Sequence, residues 1–161
     1  MYIRYDNKLY SYRNLRDCNK IVTRKVEKSN ETFYKHRSVW VKVIENIDKN
    51  IEDIFDLKFY VEWDSGIENT PSEWYVQHSK GIILDNKMKL YFAQGHLPGW
   101  NVEEKTICSN IIDINEVEKY IVQYEYFVKK GRKLEEKEID RQYVIKEEFI
   151  EKFNQYLADN I

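Results

Sequence analysis

Short runs that alternate aromatic or β-branched side chains with polar ones, each stopped by an Asp, Asn or Ser turn, recur along this chain. "YIRY" and "KLYSY" flank Asp6 and Asn7, and "GIIL" and "KMKLYF" flank Asp85 and Asn86. Alternation at period two puts one face of a strand against a core and the other toward water. Asp and Asn tolerate the left-handed backbone that a tight hairpin turn needs. Aromatic residues make up 15% of the chain, while Ala93 and Ala158 are its two alanines. Aromatics suit pleated, half-buried surfaces and Ala is the strongest helix former, so the chain is constrained toward sheet.

Further strands are expected at "KIVTRKVEK", after a turn at Ser29 and Asn30 through "TFYKHRSVWVKVI", and at "KFYVEW". The last places Phe59, Val61 and Trp63 on one face and Lys58, Tyr60 and Glu62 on the other. "DSGIENTPS" reads as a loop, "EWYVQ" as a strand, and Lys105 to Ile114 as a strand. "YIVQYEYFV" is β-branched and aromatic throughout and reads as a strand that turns at Gly131 and returns through "KEIDRQYVI". Two segments depart from this pattern. Ile47, Ile51, Ile54 and Phe55 fall at i, i+4, i+7 and i+8, which predicts a short internal helix at about 47–56 with Asn46 or Asp48 as its cap. Phe149, Ile150, Phe153, Tyr156 and Leu157 predict a C-terminal helix at about 146–159. No linker or repeat divides residues 1–161. A single α+β domain is expected, a mostly antiparallel sheet with the two helices packed on it; a chain of this length buries roughly 70% of its unfolded surface.

No apolar run approaches the roughly 20 residues of a membrane span, and the first residues carry no secretory pattern, so the expectation is a cytoplasmic protein that engages no membrane. Cys18 and Cys108 lack CxxC spacing and are expected as free thiols. His36, His78 and His96 are isolated from one another and from the cysteines, which predicts no metal site. Neither a GxSxG elbow nor a phosphate-cradling glycine loop occurs, and the carboxylate pairs Glu103/Glu104 and Glu135/Glu136 read as solvated surface. No catalytic set and no cofactor are expected.

Three surfaces remain as candidates for binding. Residues 1–44 hold 11 Lys or Arg against 4 Asp or Glu, interleaved with tyrosines. Arg4, Tyr5, Lys8, Tyr10, Arg13, Arg24, Lys25, Lys35 and Arg37 can hold nucleic acid, the cations on phosphates and the rings on bases. The same residues also describe a solvated sheet face whose edges are guarded by charge, the reading that an overall net charge of −2 favours. Residues 45–73 reverse the sign, with 9 acids against 2 bases. There Glu45, Asp48, Glu52 and Asp56 form an acidic stripe if the segment is helical. The third surface is "AQGHLPGWN", Ala93 to Asn101. Pro98 fixes φ, and Gly95 and Gly99 permit positive φ, so the stretch is a shaped loop. Gln94, His96, Trp100 and Asn101 either face a partner or, for Trp100, plug the end of the sheet. A small-molecule pocket beneath this glycine loop, of the kind that sequesters a nucleotide signal, is a further alternative.

"MYIRY", "EDIFDLKFYVEW" and "MKLYFAQGHLPGW" together resemble a group of small α+β proteins from phages and prophages of low-GC Gram-positive bacteria. None of these strings carries known chemistry, so the resemblance transfers no catalytic residue. It implies a context in which a small protein binds and inhibits a host macromolecule, including a nuclease of a defence system such as CRISPR-Cas. On that footing the leading expectation is a non-enzymatic binder of a host protein. Its contacts are Gln94, His96, Trp100 and Asn101 with the acidic stripe, and the basic N-terminal sheet is the nucleic-acid-binding alternative.

Overall fold

Asp6 and Asn7 both take positive φ, 49° and 58°, and close the first hairpin as expected. The computed structural model describes residues 1–14, 19–24, 29–44, 50–76, 85–130 and 133–159. In chain order the strands are β1 (Tyr2–Tyr5), β2 (Lys8–Asn14), β3 (Asn19–Thr23), β4 (Tyr34–His36), β5 (Val39–Ile44) and β6 (Ile51–Glu62). They continue with β7 (Glu73–Tyr75), β8 (Lys87–Phe92), β9 (Asn101–Glu104), β10 (Ile107–Asp113), β11 (Lys119–Lys130) and β12 (Lys133–Val144). A 3-10 turn at Ile114–Glu116 precedes β11, and helix α1 (Lys146–Asp159) follows β12. The fold is mostly antiparallel sheet with a C-terminal helix, as the patterning implied. Expected strand residues 25–28 and 81–84 and the turn at Gly131 lie outside the described residues. No helix among the described residues is long and apolar enough to cross a membrane.

The chain divides into two compact units. Unit 1 is Met1–Leu57, Tyr124–Asp140 and Ala158–Ile161, and unit 2 is Lys58–Gln123 and Arg141–Leu157. The long strands β6, β11 and β12 each contribute residues to both.

In unit 1 the strand order is β12-β11-β6-β1-β2-β3-β5-β4. Ile3 pairs with Tyr10 and with Ile54, and Tyr12 pairs with Ile21, so one sheet face gathers Ile3, Tyr5, Tyr10, Tyr12, Ile21, Ile44 and Ile54 into a buried cluster with Phe33. Tyr10 stacks on Phe33 at 5.7 Å. Inside this apolar setting Asn19 is buried, and its side-chain oxygen accepts from the Tyr12 hydroxyl (2.7 Å) and from Lys129 Nζ. Burial pushes the Tyr12 phenol up to about 12 and the Lys129 ammonium down.

The internal helix expected at about 47–56 is not what the described residues form; residues 51–56 belong to β6. Residues 47–49 lie outside the described residues. The cause of the misleading spacing is a β-bulge. Arg4 pairs with Asp53 but Tyr5 pairs with Ile51, so Glu52 is the extra residue and Ile51 and Ile54, three apart, share a face. Phe55 is buried on the other face beside Tyr2, at 5.6 Å. A bulged strand buried on both sides thus mimics the i, i+3, i+4 pattern of a helix.

In unit 2, β7 pairs with the end of β6, Tyr60 opposite Tyr75, and a three-stranded sheet runs in the order β8-β10-β9. Phe149, Phe153 and Tyr156 of α1 bring their rings edge-on to Phe59 of β6, with centroids 5.6, 5.1 and 5.8 Å away. Glu147 and Glu148 in the first turn of α1 suit the positive end of the helix dipole. Met88, Leu90, Cys108 and Ile112 lie on one face of the paired strands β8 and β10 and are fully or almost fully buried.

Candidate binding surfaces

Leu97, Pro98, Gly99 and Trp100 form a reverse turn. The Trp100 N–H donates to the Leu97 carbonyl (3.1 Å), and Gly99 takes φ 78°, the position at which a type II turn needs glycine. Gly95 N donates to Thr106 O (3.1 Å), His96 Nε2 lies 3.0 Å from Glu104 O, and Leu97 N donates to Cys108 Sγ (3.4 Å). The loop is therefore laced to β9 and β10 by backbone and side-chain bonds.

The result for Trp100 is an inward placement. It is 9% exposed and stacks on Trp74, which is 2% exposed, with ring centroids 5.3 Å apart. Trp63 completes the cluster at 6.3 Å from Trp100 and 5.9 Å from Trp74, and Phe92 lies 6.2 Å from Trp74. The Trp74 indole N–H is satisfied by the Trp63 carbonyl (3.0 Å). Trp100 is a core residue of unit 2, whereas Gln94, His96 and Asn101 remain exposed.

The other expected contacts do not assemble into one site. Glu45, Asp48 and Lys25 lie outside the described residues. Glu52 and Asp56 are on a strand, so the helical stripe that would align them is absent. Glu52 Oε1 accepts from the Asn7 N–H (2.8 Å), and Asp56 accepts from the Met1 amino group (3.1 Å). Tyr5 and Tyr10 are 4% and 5% exposed and belong to the core, which removes them as stacking platforms; the Tyr5 hydroxyl accepts from Lys42 Nζ (3.0 Å). Pairing registers put Arg4 and Arg13 on one sheet face and Lys8 and Lys35 on the other. Arg4 is further engaged near Asp53 (3.7 Å) and Glu52 (4.0 Å). Arg24 and Arg37 are exposed at turns. Among the described residues no group of three or more His, Cys, Asp or Glu is placed to hold a metal, and the Cys108 thiol is buried.

What the fold does assemble is a face of unit 2 on the side of β6 opposite Phe59. Tyr60 and Tyr75 meet at 5.4 Å. The Arg141 guanidinium lies 5.1 Å from the Tyr60 ring centre, donates to Gln123 Oε1 (2.9 Å) and donates to Glu73 Oε2 (2.5 Å). Lys119 Nζ lies 5.5 Å from the Tyr143 ring centre and 3.0 Å from Glu62. The carboxylates of Glu73 and Glu62 hold the Arg141 and Lys119 cations above their usual pKa ranges. Tyr143 is 65% exposed, and Ile145 just beyond it is 67% exposed. Glu73 and Tyr75 also line an open groove of about 520 Å³, whose remaining walls include Trp74, Tyr91, Phe92 and Gln94.

In the sequence this face is inconspicuous, because "KEIDRQYVI" reads as the returning strand alone. The signal was present: Arg141 and Tyr143 two apart on a strand, and Tyr60 on the polar side of "KFYVEW". Comparison of the chain with protein-family models, with curated proteins and with solved structures finds no match.

Proposed function

We propose that the protein is a binding protein that docks a partner protein on the Tyr60, Tyr75, Arg141 and Tyr143 face of unit 2. The observation that carries this reading is the composition and bracing of that face. Tyrosine and arginine are the residue types that concentrate binding energy at interfaces, and a large ring at 65% exposure is available to a partner. The cation–π contacts and ion pairs hold the long side chains in one arrangement before binding, which lowers the entropy lost on association. The mixed charges, Arg141 with Glu73 and Lys119 with Glu62, suit a protein surface better than a phosphate backbone, which calls for uncompensated positive charge. With the resemblance of three segments to phage and prophage proteins, the reading extends to a host protein whose action is blocked by occupation instead of catalysis. A nuclease of a defence system is its narrowest form.

Affinity capture from a host lysate with the parent protein and with Tyr143→Glu tests this. The expected result is a protein retained by the parent, lost with the variant, and reduced in its own activity when the parent is added at equal concentration. Equal retention by a Tyr143→Glu protein of unchanged circular dichroism would overturn the assignment of this face. Unchanged activity of the captured protein would overturn the inhibitor reading.

A further inference from the structure

β12 is the terminal strand of its sheet among the described residues, and from Glu135 to Ile139 every side chain is exposed. A strand in this position presents an open row of backbone N–H and C=O groups, a template for pairing with another chain. Its part in unit 1, Lys133–Asp140, carries two lysines and four carboxylates. Glu135 is engaged by Lys130 at 2.6 Å. Glu136, Glu138 and Asp140 stand at i, i+2 and i+4, on one side of the strand by alternation. Their charge is felt locally: the Tyr126 phenol is pushed up, first by burial and then by Asp53, Asp140 and Glu138.

We infer that the β12 edge takes a basic, extended segment of another protein as an added strand. The charges choose between the two kinds of occupant an open edge invites. A second copy of this chain would pair antiparallel about a two-fold axis, with residues opposite one another at equal distances from the centre. Centred on Ile139, that pairing sets Glu138 opposite Asp140. Centred on Glu138 or Glu136, it sets that residue opposite itself. Centred on Lys137 or Glu135, it again sets a like pair face to face, and like charges directly opposite are destabilising; only a register centred on Leu134 escapes this, and it joins no more of the strand than Lys133 to Glu135. A strand with Lys or Arg at alternate positions meets Glu136, Glu138 and Asp140 with opposite charge, while its backbone satisfies the open edge. Its residues are not those of the Tyr143 face, and the two proposals are tested independently.

The test uses synthetic peptides and the full chain. A peptide alternating Lys with Val or Thr is titrated against the protein at low and moderate salt, with hydrogen exchange followed along residues 133–140. A Glu-for-Lys peptide and a Lys peptide N-methylated at alternate amides serve as comparisons. The expected outcome is binding of the Lys peptide with slowed exchange on β12, at least tenfold weaker binding of both comparison peptides, and a similar loss in a Glu136→Lys, Glu138→Lys variant. Both substituted positions are exposed, and the variant should keep the parent's circular dichroism. Equal binding by the N-methylated peptide would reduce the effect to surface charge and overturn strand addition. Equal binding by the Glu peptide, no binding by the Lys peptide, or undiminished binding by the folded variant would likewise overturn it.

Discussion

Trp74 and Trp100 stack with ring planes 29° apart, one from the short strand β7 and the other from a turn just before β9. This pairing makes Trp100 part of what holds unit 2 together. Replacing it with Ala removes a large buried ring and leaves a cavity against Trp74 and Trp63, an expected loss of about 3–5 kcal/mol. Gln94→Ala in the same loop, at an exposed position, should stay within about 0.5 kcal/mol. Denaturant unfolding of the two variants separates these outcomes.

Deletion of Glu52 should be tolerated nearly as well as its substitution. Without the extra residue of the bulge, Ile51 directly precedes Asp53 and still falls opposite Tyr5 in regular alternation, so both isoleucines stay on the buried face. Glu52→Ala loses a side-chain bond to Asn7 N and an exposed, weak ion pair, a cost of about 1 kcal/mol. The deletion is expected to stay within about 2 kcal/mol of the parent, read from urea midpoints, and a loss well above that would show that the bulge is needed in its own right.

Alkaline pH should weaken unit 1 through Tyr12. Its folded pKa is raised from 10.0 to about 12, so the protonated phenol is favoured in the fold. The linked stability is fully present below pH 10 and is lost as pH rises through 12, on the order of 2 kcal/mol. Tyr12→Phe cannot ionise. It should be about 1 kcal/mol less stable than the parent at pH 8, having lost the bond to Asn19, and this deficit should shrink between pH 10 and 12. Unfolding curves of both proteins across that range measure the crossing.

Arg141→Lys keeps the charge but not the planar fork. The guanidinium reaches Gln123 and Glu73 at once while lying over Tyr60, and an ammonium cannot reproduce all three contacts. The group is partly solvated, so the expected loss is modest, about 1 kcal/mol in thermal or denaturant unfolding.

Much of this fold is legible in the residue pattern, and the exceptions have identifiable causes. Asp6-Asn7 and Asp85-Asn86 both adopt positive φ, as their chemistry suggests, and the spacing of Phe149, Phe153 and Tyr156 is that of a helix buried along one face. The segment 51–56 misleads because a bulge changes the period of a strand locally, and sequence alone carries no mark of a bulge there. The direction of Trp100 is equally illegible, since it depends on Trp63 arriving from just beyond β6 and Trp74 from β7. Tyr5 and Tyr10 read as a polar, stacking-competent surface because tyrosine looks the same in a sequence whether its ring is buried or bare. The Tyr60 and Arg141 contact joins residues 81 positions apart. No local window contains it.

Cys108 is fully buried, and its sulfur accepts the Leu97 N–H that helps fix the Ala93–Asn101 loop. A thiol reagent can meet that sulfur only when the surrounding strands part. In a Cys18→Ser background the rate of its modification becomes a built-in clock for the opening of unit 2, with no label added to the molecule. Comparing that clock with and without a bound partner would reveal whether docking on the tyrosine face is felt as far as the loop.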